Sequence, residues 1–181
     1  NARLSSVNRK YTDFLYRRMQ RQGLIYRDCQ RMVNRDRNVF AACMVASGDA
    51  DAMVTGVTRS FAVTFDDVMR VFDPKPEARV IGLQIVIARG QTIFIADTRV
   101  HEMPDAETLV DIAIQSADYA RQFGHEPRVA LLSYSNFGQP LAPNTERVRE
   151  AVKILDSRGV NFEYDGEMAA DTALDPNLRK R

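Results

Sequence analysis

The segment that decides the fold class is residues 129–168, which read VALLSYSNFGQPLAPNTERVREAVKILDSRGVNFEYDGEM. The short apolar run at 129–133 is typical of a buried strand, residues 145–158 have helical periodicity, and residues 162–164 are again strand-like. Strands that alternate with helices of about 10–18 residues form sheets that are mainly parallel and carry helices on both faces. The segment therefore predicts an α/β fold.

The same alternation extends over the rest of the chain. Apolar periodicity predicts helices at 7–22, 26–34, 38–47, 65–72 and 104–123, and buried or strand-like runs at 52–55, 81–88 and 92–96. Arg89-Gly90-Gln91 is a turn sequence that joins the last two runs into a hairpin. Asp165-Gly166 is expected to turn the chain into a helix that begins near Met168. The predicted architecture is three-layer α/β/α, with a mainly parallel sheet and one hairpin.

The composition, with 45% hydrophobic and 27% charged residues, is that of a globular protein. No apolar run approaches the roughly 18 residues that a membrane span needs, so no membrane role is expected. The first thirty residues are rich in arginine and lack the apolar core of a secretory signal. The two cysteines, Cys29 and Cys43, are too few for a disulfide scaffold and lack metal-ligand spacing. These observations predict a cytoplasmic protein.

Positive charge is concentrated at the beginning of the chain. Residues 1–37 hold ten basic and three acidic groups, a local charge of +7, whereas the whole chain carries +1. Such a block could bind phosphorylated ligands or an acidic domain, or it could be a solvated helix face. Nucleic acid is not an expected partner, because no zinc-finger or RNA-recognition motif accompanies the block.

The ends of the chain indicate a piece of a longer polypeptide. Asn1-Ala2 is a common scar of tag removal, and the chain stops at Arg181 without a finishing element. We therefore expect a tag scar at 1–2, a basic helical segment at 3–37 and an α/β domain at 38–181.

Familiar catalytic motifs are absent from the sequence. It has no Walker-type phosphate loop and no Gly-x-Gly-x-x-Gly. The two histidines, His101 and His125, lack the spacing of a zinc site, so no histidine-based metal site is expected. Six carboxylates could coordinate a cation, but helix capping and turn formation are the favoured interpretation and no metal is predicted: Asp49, Asp51, Asp97, Glu102, Asp105 and Asp165. Ser133 and Ser135 lie outside a Gly-x-Ser-x-Gly elbow. None of these motifs therefore identifies a catalytic residue.

Four junctions remain as candidate sites, because ligands of α/β sheets bind where strands run into helix N-termini. They are residues 55–60, 97–102, 133–138 and 165–167. The first combines a glycine, hydroxyls and an arginine ahead of a helix, which suits an anion. The third is polar and contains Gly138, which permits close backbone approach. Ordinary turn chemistry is the competing interpretation of each junction.

At these junctions the sequence resembles a known family. GDADAMVTG at 48–56, DTRVHEMPDAE at 97–107 and EPRVALLSYS at 126–135 are similar to motifs of phosphate acetyl/butyryl transferases. RDCQR at 27–31 and FEYDGEMAAD at 162–171 resemble the phosphotransacetylase-like C-terminal region of the hybrid NADP-dependent malic enzymes of bacteria. The likeness runs from about Tyr11 to Arg181.

This resemblance implies an isocitrate dehydrogenase-like fold of two domains, with acyl-CoA in the cleft between them. The chain would then be mostly the second domain. Thr58 and Arg59 are the candidate contacts for phosphate groups. The candidate cleft residues are Tyr134, Ser135, Asn136 and Gly138, and those expected to shape loops are Gly56, Asp97, Asp165 and Gly166.

Departures from the family pattern imply a domain without its own catalysis. Active transferases usually carry Thr-Leu/Val-Arg-Pro where this chain has Phe65-Asp66-Asp67, and an acid there should repel phosphate. Many have Asp-Cys where this chain has Asp97-Thr98. Their Ser-Arg…Asp constellation falls beyond Arg181.

The resemblance further implies a regulatory module that senses acetyl-CoA and forms a homo-oligomer, at least a dimer. Its other partner would be the malic enzyme domain of the same chain, absent here, to which NADP and a divalent metal, Mg or Mn, would belong. One alternative is an active phosphate acetyltransferase in which Arg59 or Arg70 replaces the missing clamp. The other is a purely structural assembly domain.

Overall fold

The structure is a computed structural model that describes residue 2 and residues 5–139 and 142–178, with the backbone alone at positions 143 and 144. The chain forms two compact units, Asn1–Pro74 and Lys75–Arg181. The predicted segments 1–2, 3–37 and 38–181 remain a prediction, and the two compact units divide at a different place, after Pro74.

The first unit is helical in its described part. Its helices are α1 (Asn8–Met19, followed by a 3₁₀ turn at Gln20–Gln22), α2 (Tyr26–Arg35), α3 (Arg37–Ala46) and α4 (Phe61–Met69). The Asp36 side chain caps α3, because it accepts hydrogen bonds from the amides of Asn38 and Val39. Apolar side chains from the first three helices form the core, and the fully buried ones are Tyr11, Leu15, Cys29, Val33, Val39, Ala42 and Cys43.

Two predictions in this unit need correction. The strand predicted at 52–55 is wrong: these residues are irregular, and Val54 is fully exposed. A strand needs a neighbour to satisfy its backbone N–H and C=O groups, and no described strand pairs with this run. The helix predicted at 65–72 begins earlier, at Phe61, because the Ser60 hydroxyl accepts a hydrogen bond from the amide of Val63 and caps it there.

The second unit contains the strands. A hairpin is formed by β1 (Leu83–Ala88) and β2 (Gln91–Ala96), and the turn residues Arg89 and Gly90 both have positive φ, as a tight two-residue hairpin turn requires. The remaining elements are α5 (Ala106–Gln122), β3 (Arg128–Leu132), α6 (Pro143–Arg158), β4 (Glu163–Met168) and α7 (Ala170–Leu174). The predicted hairpin is therefore confirmed.

Strands β3 and β4 pair in parallel, with α6 as the connection between them. Helices α5 and α6 pack on this pair, and the fully or nearly buried side chains between them include Val110, Ala117, Leu131, Ala151 and Leu155. The predicted α/β class and its parallel strands are confirmed. One boundary is wrong: β4 continues through Asp165 and Gly166 to Met168, and α7 begins only at Ala170, because pairing with β3 persists to Leu132.

Across residues 5–139 and 142–178, no helix combines the length and the apolar composition that crossing a membrane requires.

Candidate functional site

The loop at residues 133–139 follows β3 and is hydrogen-bonded to the end of β4. The Ser133 amide donates to the Met168 carbonyl at 2.9 Å, and the Phe137 amide donates to the Glu167 carbonyl at 2.9 Å. The Ala169 amide donates to Oδ1 of Asn136 at 2.8 Å. Two of the predicted junctions, 133–138 and 165–167, are therefore adjacent and joined by hydrogen bonds.

Glu167 lies at the centre of these two joined junctions, and its side chain is completely buried. Its Oε1 accepts hydrogen bonds from the Ser135 hydroxyl at 2.6 Å and from the Gly138 amide at 2.8 Å. Burial raises the pKa of Glu167, but these two donors, the nearby Thr145 hydroxyl and the charge of Arg149 outweigh it, so the pKa lies below its ordinary value. The carboxyl is therefore ionised at neutral pH.

Glu167 lies in the predicted 165–167 junction, but its sequence pattern does not identify it as a site residue. An acid that directly precedes Met168 in the sequence reads as the start of a helix, where exposed acids are common. Only the hydrogen bonds to residues 32 and 29 positions earlier show that the carboxylate faces inward.

The backbone of β4 explains why Glu167 points at the loop. Leu131 pairs with Gly166 and Leu132 with Met168, so Glu167 is an extra residue with no partner on β3. Such a bulge redirects the side chain that it contains. A Cβ at Gly166 would lie 2.8 Å from the Leu131 carbonyl oxygen, so glycine is what allows the two strands to approach here.

The predicted contacts in this loop divide into accessible and buried ones. Tyr134 and Asn136 are exposed and Gly138 is half-buried, so all three can be reached from solvent. Ser135 is buried, and its hydroxyl donates a hydrogen bond to Glu167. Asp165 is exposed and accepts a hydrogen bond from the Gly166 amide at 2.8 Å. Ser135 therefore maintains the loop rather than offering a free hydroxyl.

Asp97 directly follows β2 and turns the chain with a positive φ of 50°. Its amide donates to the Gly82 carbonyl at 2.5 Å, and its Oδ2 lies 2.7 Å from Nδ1 of His101. Its side chain is buried, so Asp97 holds the 97–101 turn in place.

In the first unit, Arg59 is paired with carboxylates. Its Nη1 donates to Asp67 Oδ2 at 2.9 Å and also to Asp36 Oδ2. Asp67 is buried, and it accepts further hydrogen bonds from Arg70 at 3.0 Å and from the Asn38 amide group at 3.2 Å. The positive charge of Arg59 is therefore compensated within the chain.

Thr58 and Gly56 lie in the exposed loop before α4. The Thr58 amide donates to the Gly56 carbonyl at 2.7 Å, and both residues are exposed. The preceding Thr55 hydroxyl donates to Asn38 Oδ1 at 2.7 Å. Thr58 and Arg59 thus belong to the first unit, whereas the other candidate contacts belong to the second. The described part of the chain holds no group of three or more His, Cys, Asp or Glu side chains suited to a metal ion.

Comparison with known sequences gives a match over the whole chain. Residues 1–181 match the model of the family described as phosphate acetyl/butaryl transferase. The chain belongs to this family.

Relatives of this family member include malic enzymes and phosphate acetyltransferases. It is 58% identical over 181 residues to the NADP-dependent malic enzyme of Rhizobium meliloti (strain 1021). It is 32% identical over 163 residues to the phosphate acetyltransferase of Bacillus subtilis (strain 168). The chain spans 24% of the malic enzyme and 50% of the acetyltransferase. The resemblance to the phosphotransacetylase-like region of malic enzymes is confirmed.

Solved structures support the same family. A phosphotransacetylase from Streptococcus pyogenes superposes with a TM-score of 0.84 at 28% identity, over 99% of this chain and 55% of that one. The EutD phosphotransacetylase from Staphylococcus aureus gives a TM-score of 0.80 at 25% identity, over 99% of this chain and 56% of that one. The fold predicted from the resemblance is therefore the fold of the phosphotransacetylases.

The ion pairs of Arg59 predict that the stability of the folded state depends on pH. Burial raises the pKa of Asp36, but hydrogen bonds from the Arg59 guanidinium and from the amides of Val39 and Asn38 outweigh it and leave the pKa below its ordinary value. A carboxyl whose pKa is lower in the folded state stabilises that state above a pH of about 4, and the stabilisation is lost as the pH falls through the lowered pKa.

We expect Arg59→Ala to weaken this dependence, so that stability falls less steeply below a pH of about 4 than it does in the wild type. Urea unfolding from pH 6 to pH 2, followed by circular dichroism, measures it. Arg37→Ala is the control, because it removes the same charge from an exposed position beside Asp36. Equal acid profiles for Arg59→Ala and the wild type would contradict the prediction.

Proposed function

We propose that this chain is the phosphotransacetylase-like domain of an NADP-dependent malic enzyme, and that it binds acetyl-CoA as an effector without transferring the acetyl group. The proposal that the domain transfers no acetyl group rests on the pairing of Arg59 with the carboxylates of Asp36 and Asp67. Arg59 is the residue that the sequence offers as a phosphate contact.

Acyl transfer to phosphate needs cations that are free to hold a dianion in line with the thioester. Two carboxylates already occupy the Arg59 guanidinium, and a phosphate would have to displace at least one of them. The other candidate, Arg70, also contacts Asp67, at 3.0 Å. Both arginines therefore lie against the same buried acid, whose negative charge opposes the binding of an anion.

The proposed acyl-CoA contacts lie on the 133–139 loop. Tyr134 offers an exposed aromatic ring, Asn136 an exposed amide group and Gly138 a backbone that a ligand can approach. These three residues would bind through stacking and hydrogen bonds, and none of them carries a thiol, an imidazole or a carboxylate. This composition supports recognition of the ligand without chemistry on it.

The proposed domain also assembles the enzyme, as a homo-oligomer of at least two chains. Exposed apolar side chains on β1 support this part of the proposal: Ile85 is 44% exposed and Ile87 is 78% exposed. Large apolar side chains grouped on one strand mark surfaces that a partner covers. NADP and a divalent metal, Mg or Mn, would be bound by the malic enzyme domain of the same chain.

The deciding experiment measures malate-dependent NADPH formation by the complete enzyme, with and without acetyl-CoA. We expect acetyl-CoA to change the rate of the intact enzyme and to leave the rate of a version without this domain unchanged. Acetyl-CoA and phosphate alone should give no acetyl phosphate. Calorimetric titration of acetyl-CoA into the intact enzyme should show binding that the shortened version lacks.

Two other results would each replace this proposal. The identity to the Bacillus subtilis phosphate acetyltransferase favours an active transferase as the second candidate. Acetyl phosphate formation that Arg59→Ala abolishes would establish it. If acetyl-CoA changes neither rate, and the shortened enzyme separates into smaller species by light scattering, the domain is an assembly scaffold without a ligand.

A further inference from the structure

We propose that Glu167 is a positioning residue of the candidate ligand site, whose buried carboxylate fixes residues 135–138 in the conformation that a ligand meets. The expected effect of Glu167 on the affinity for acetyl-CoA rests on the proposed function, whereas its effect on the conformation of the loop does not. The carboxylate does not itself contact a ligand, because its side chain is completely buried.

A buried carboxylate is costly unless donors compensate for the lost hydration. Here the donors come from the loop itself: the Ser135 hydroxyl at 2.6 Å and the Gly138 amide at 2.8 Å both reach Oε1. Charge-assisted hydrogen bonds of this kind are stronger than neutral ones. The loop and the carboxylate therefore hold each other in place, and the exposed Asn136 lies between the two anchored positions.

The backbone amide of Phe137 and the side chain of Asn136 also take part in the anchoring. The Phe137 amide donates to the Glu167 carbonyl at 2.9 Å, and Asn136 Oδ1 accepts from the Ala169 amide at 2.8 Å. Because the bulge leaves Glu167 without a partner on β3, both its carbonyl and its side chain are available to the loop.

The second oxygen of the carboxylate, Oε2, indicates that Glu167 does more than fill space in the core. Oε2 is buried and has no hydrogen-bond donor in the described part of the chain. The Thr145 hydroxyl is near enough to favour the charged form, but it donates to the Ala142 carbonyl at 2.9 Å. Because a buried acceptor without a donor is unfavourable, the two loop contacts at Oε1 have to compensate for the burial of the carboxylate.

The test replaces Glu167 in the complete enzyme and follows amide exchange and acetyl-CoA affinity together. In Glu167→Ala we expect exchange at the Gly138 amide to rise by about tenfold or more, and the Kd for acetyl-CoA to rise by a similar factor. Glu167→Gln keeps an acceptor at the same place and should restore both quantities to within about threefold of the wild type. Glu163→Gln, which neutralises an exposed carboxylate on the same strand, is the control and should change neither.

Ser135→Ala provides a second variant in case Glu167→Ala does not fold. It removes one of the two bonds to Oε1 and should raise exchange at Gly138 and the Kd by about threefold. Unchanged exchange at Gly138 in both variants would overturn the inference, and so would faster exchange with an unchanged Kd. A wild type that does not bind acetyl-CoA overturns the proposed function alone, because the exchange rates still decide whether Glu167 holds the loop.

Discussion

Leu155→Ala is expected to lower the free energy of unfolding of the second unit by about 2–5 kcal/mol. Leu155 lies on α6 and is completely buried in the cluster that also contains Val110, Ala151 and Phe162. Truncation removes the transfer free energy of the buried methyl groups and leaves a cavity that backbone-constrained neighbours fill only in part. Urea unfolding followed by circular dichroism measures the loss.

Leu174→Ala is the matched control for this truncation. Leu174 lies on α7 and is 59% exposed, so the same change of side chain removes little buried surface. We expect its unfolding free energy to stay within about 0.5 kcal/mol of the wild type. Similar losses for both variants would show that α6 does not pack through Leu155 as described.

Gly166→Ala is expected to destabilise the same unit by about 1–3 kcal/mol. The new Cβ would lie 2.8 Å from the Leu131 carbonyl oxygen and 2.9 Å from the Leu131 Cβ, distances that real contacts do not reach. The obstacle is largely backbone of the neighbouring strand, so no side-chain rotation relieves it. Either β3 and β4 separate locally or the bulge at Glu167 rearranges.

Gly82→Ala is the control for this substitution, because its backbone φ is one that alanine adopts readily. Its Cβ would meet the Val100 side chain at 3.6 Å, an ordinary contact. We expect the free energy of unfolding to change by less than about 1 kcal/mol, because the contact is ordinary and alanine restricts the unfolded chain. If Gly166→Ala were as mild as Gly82→Ala, the close approach of the two strands would be refuted.

The α/β class, the hairpin and most helices were predictable because their signals are local. Apolar spacing sets the buried face of α1 and α5, and Arg89-Gly90 suits a tight turn wherever the two strands meet. The strand predicted at 52–55 failed because an apolar run becomes a strand only beside another strand. No property of those four residues reveals whether that neighbour exists.

The candidate site was predictable as a set of loops but not as an arrangement of charges. The sequence places Arg59 before a helix and Ser135 after a strand, where ligand contacts commonly occur. The structure pairs Arg59 with Asp36, 23 residues away, and Ser135 with Glu167, 32 residues away. Folding alone brings such distant groups together.

Family membership and the order of most helices and strands can therefore be determined from the sequence alone, because motifs, periodicity and turn chemistry act over a few neighbouring residues. Tertiary structure decides which polar groups are available to a ligand. It compensates the charge of Arg59 and buries the carboxylate of Glu167 beneath the 133–139 loop. The reason is that the interaction of a charged group with a ligand depends on the neighbouring groups and on its exposure to solvent, and packing determines both.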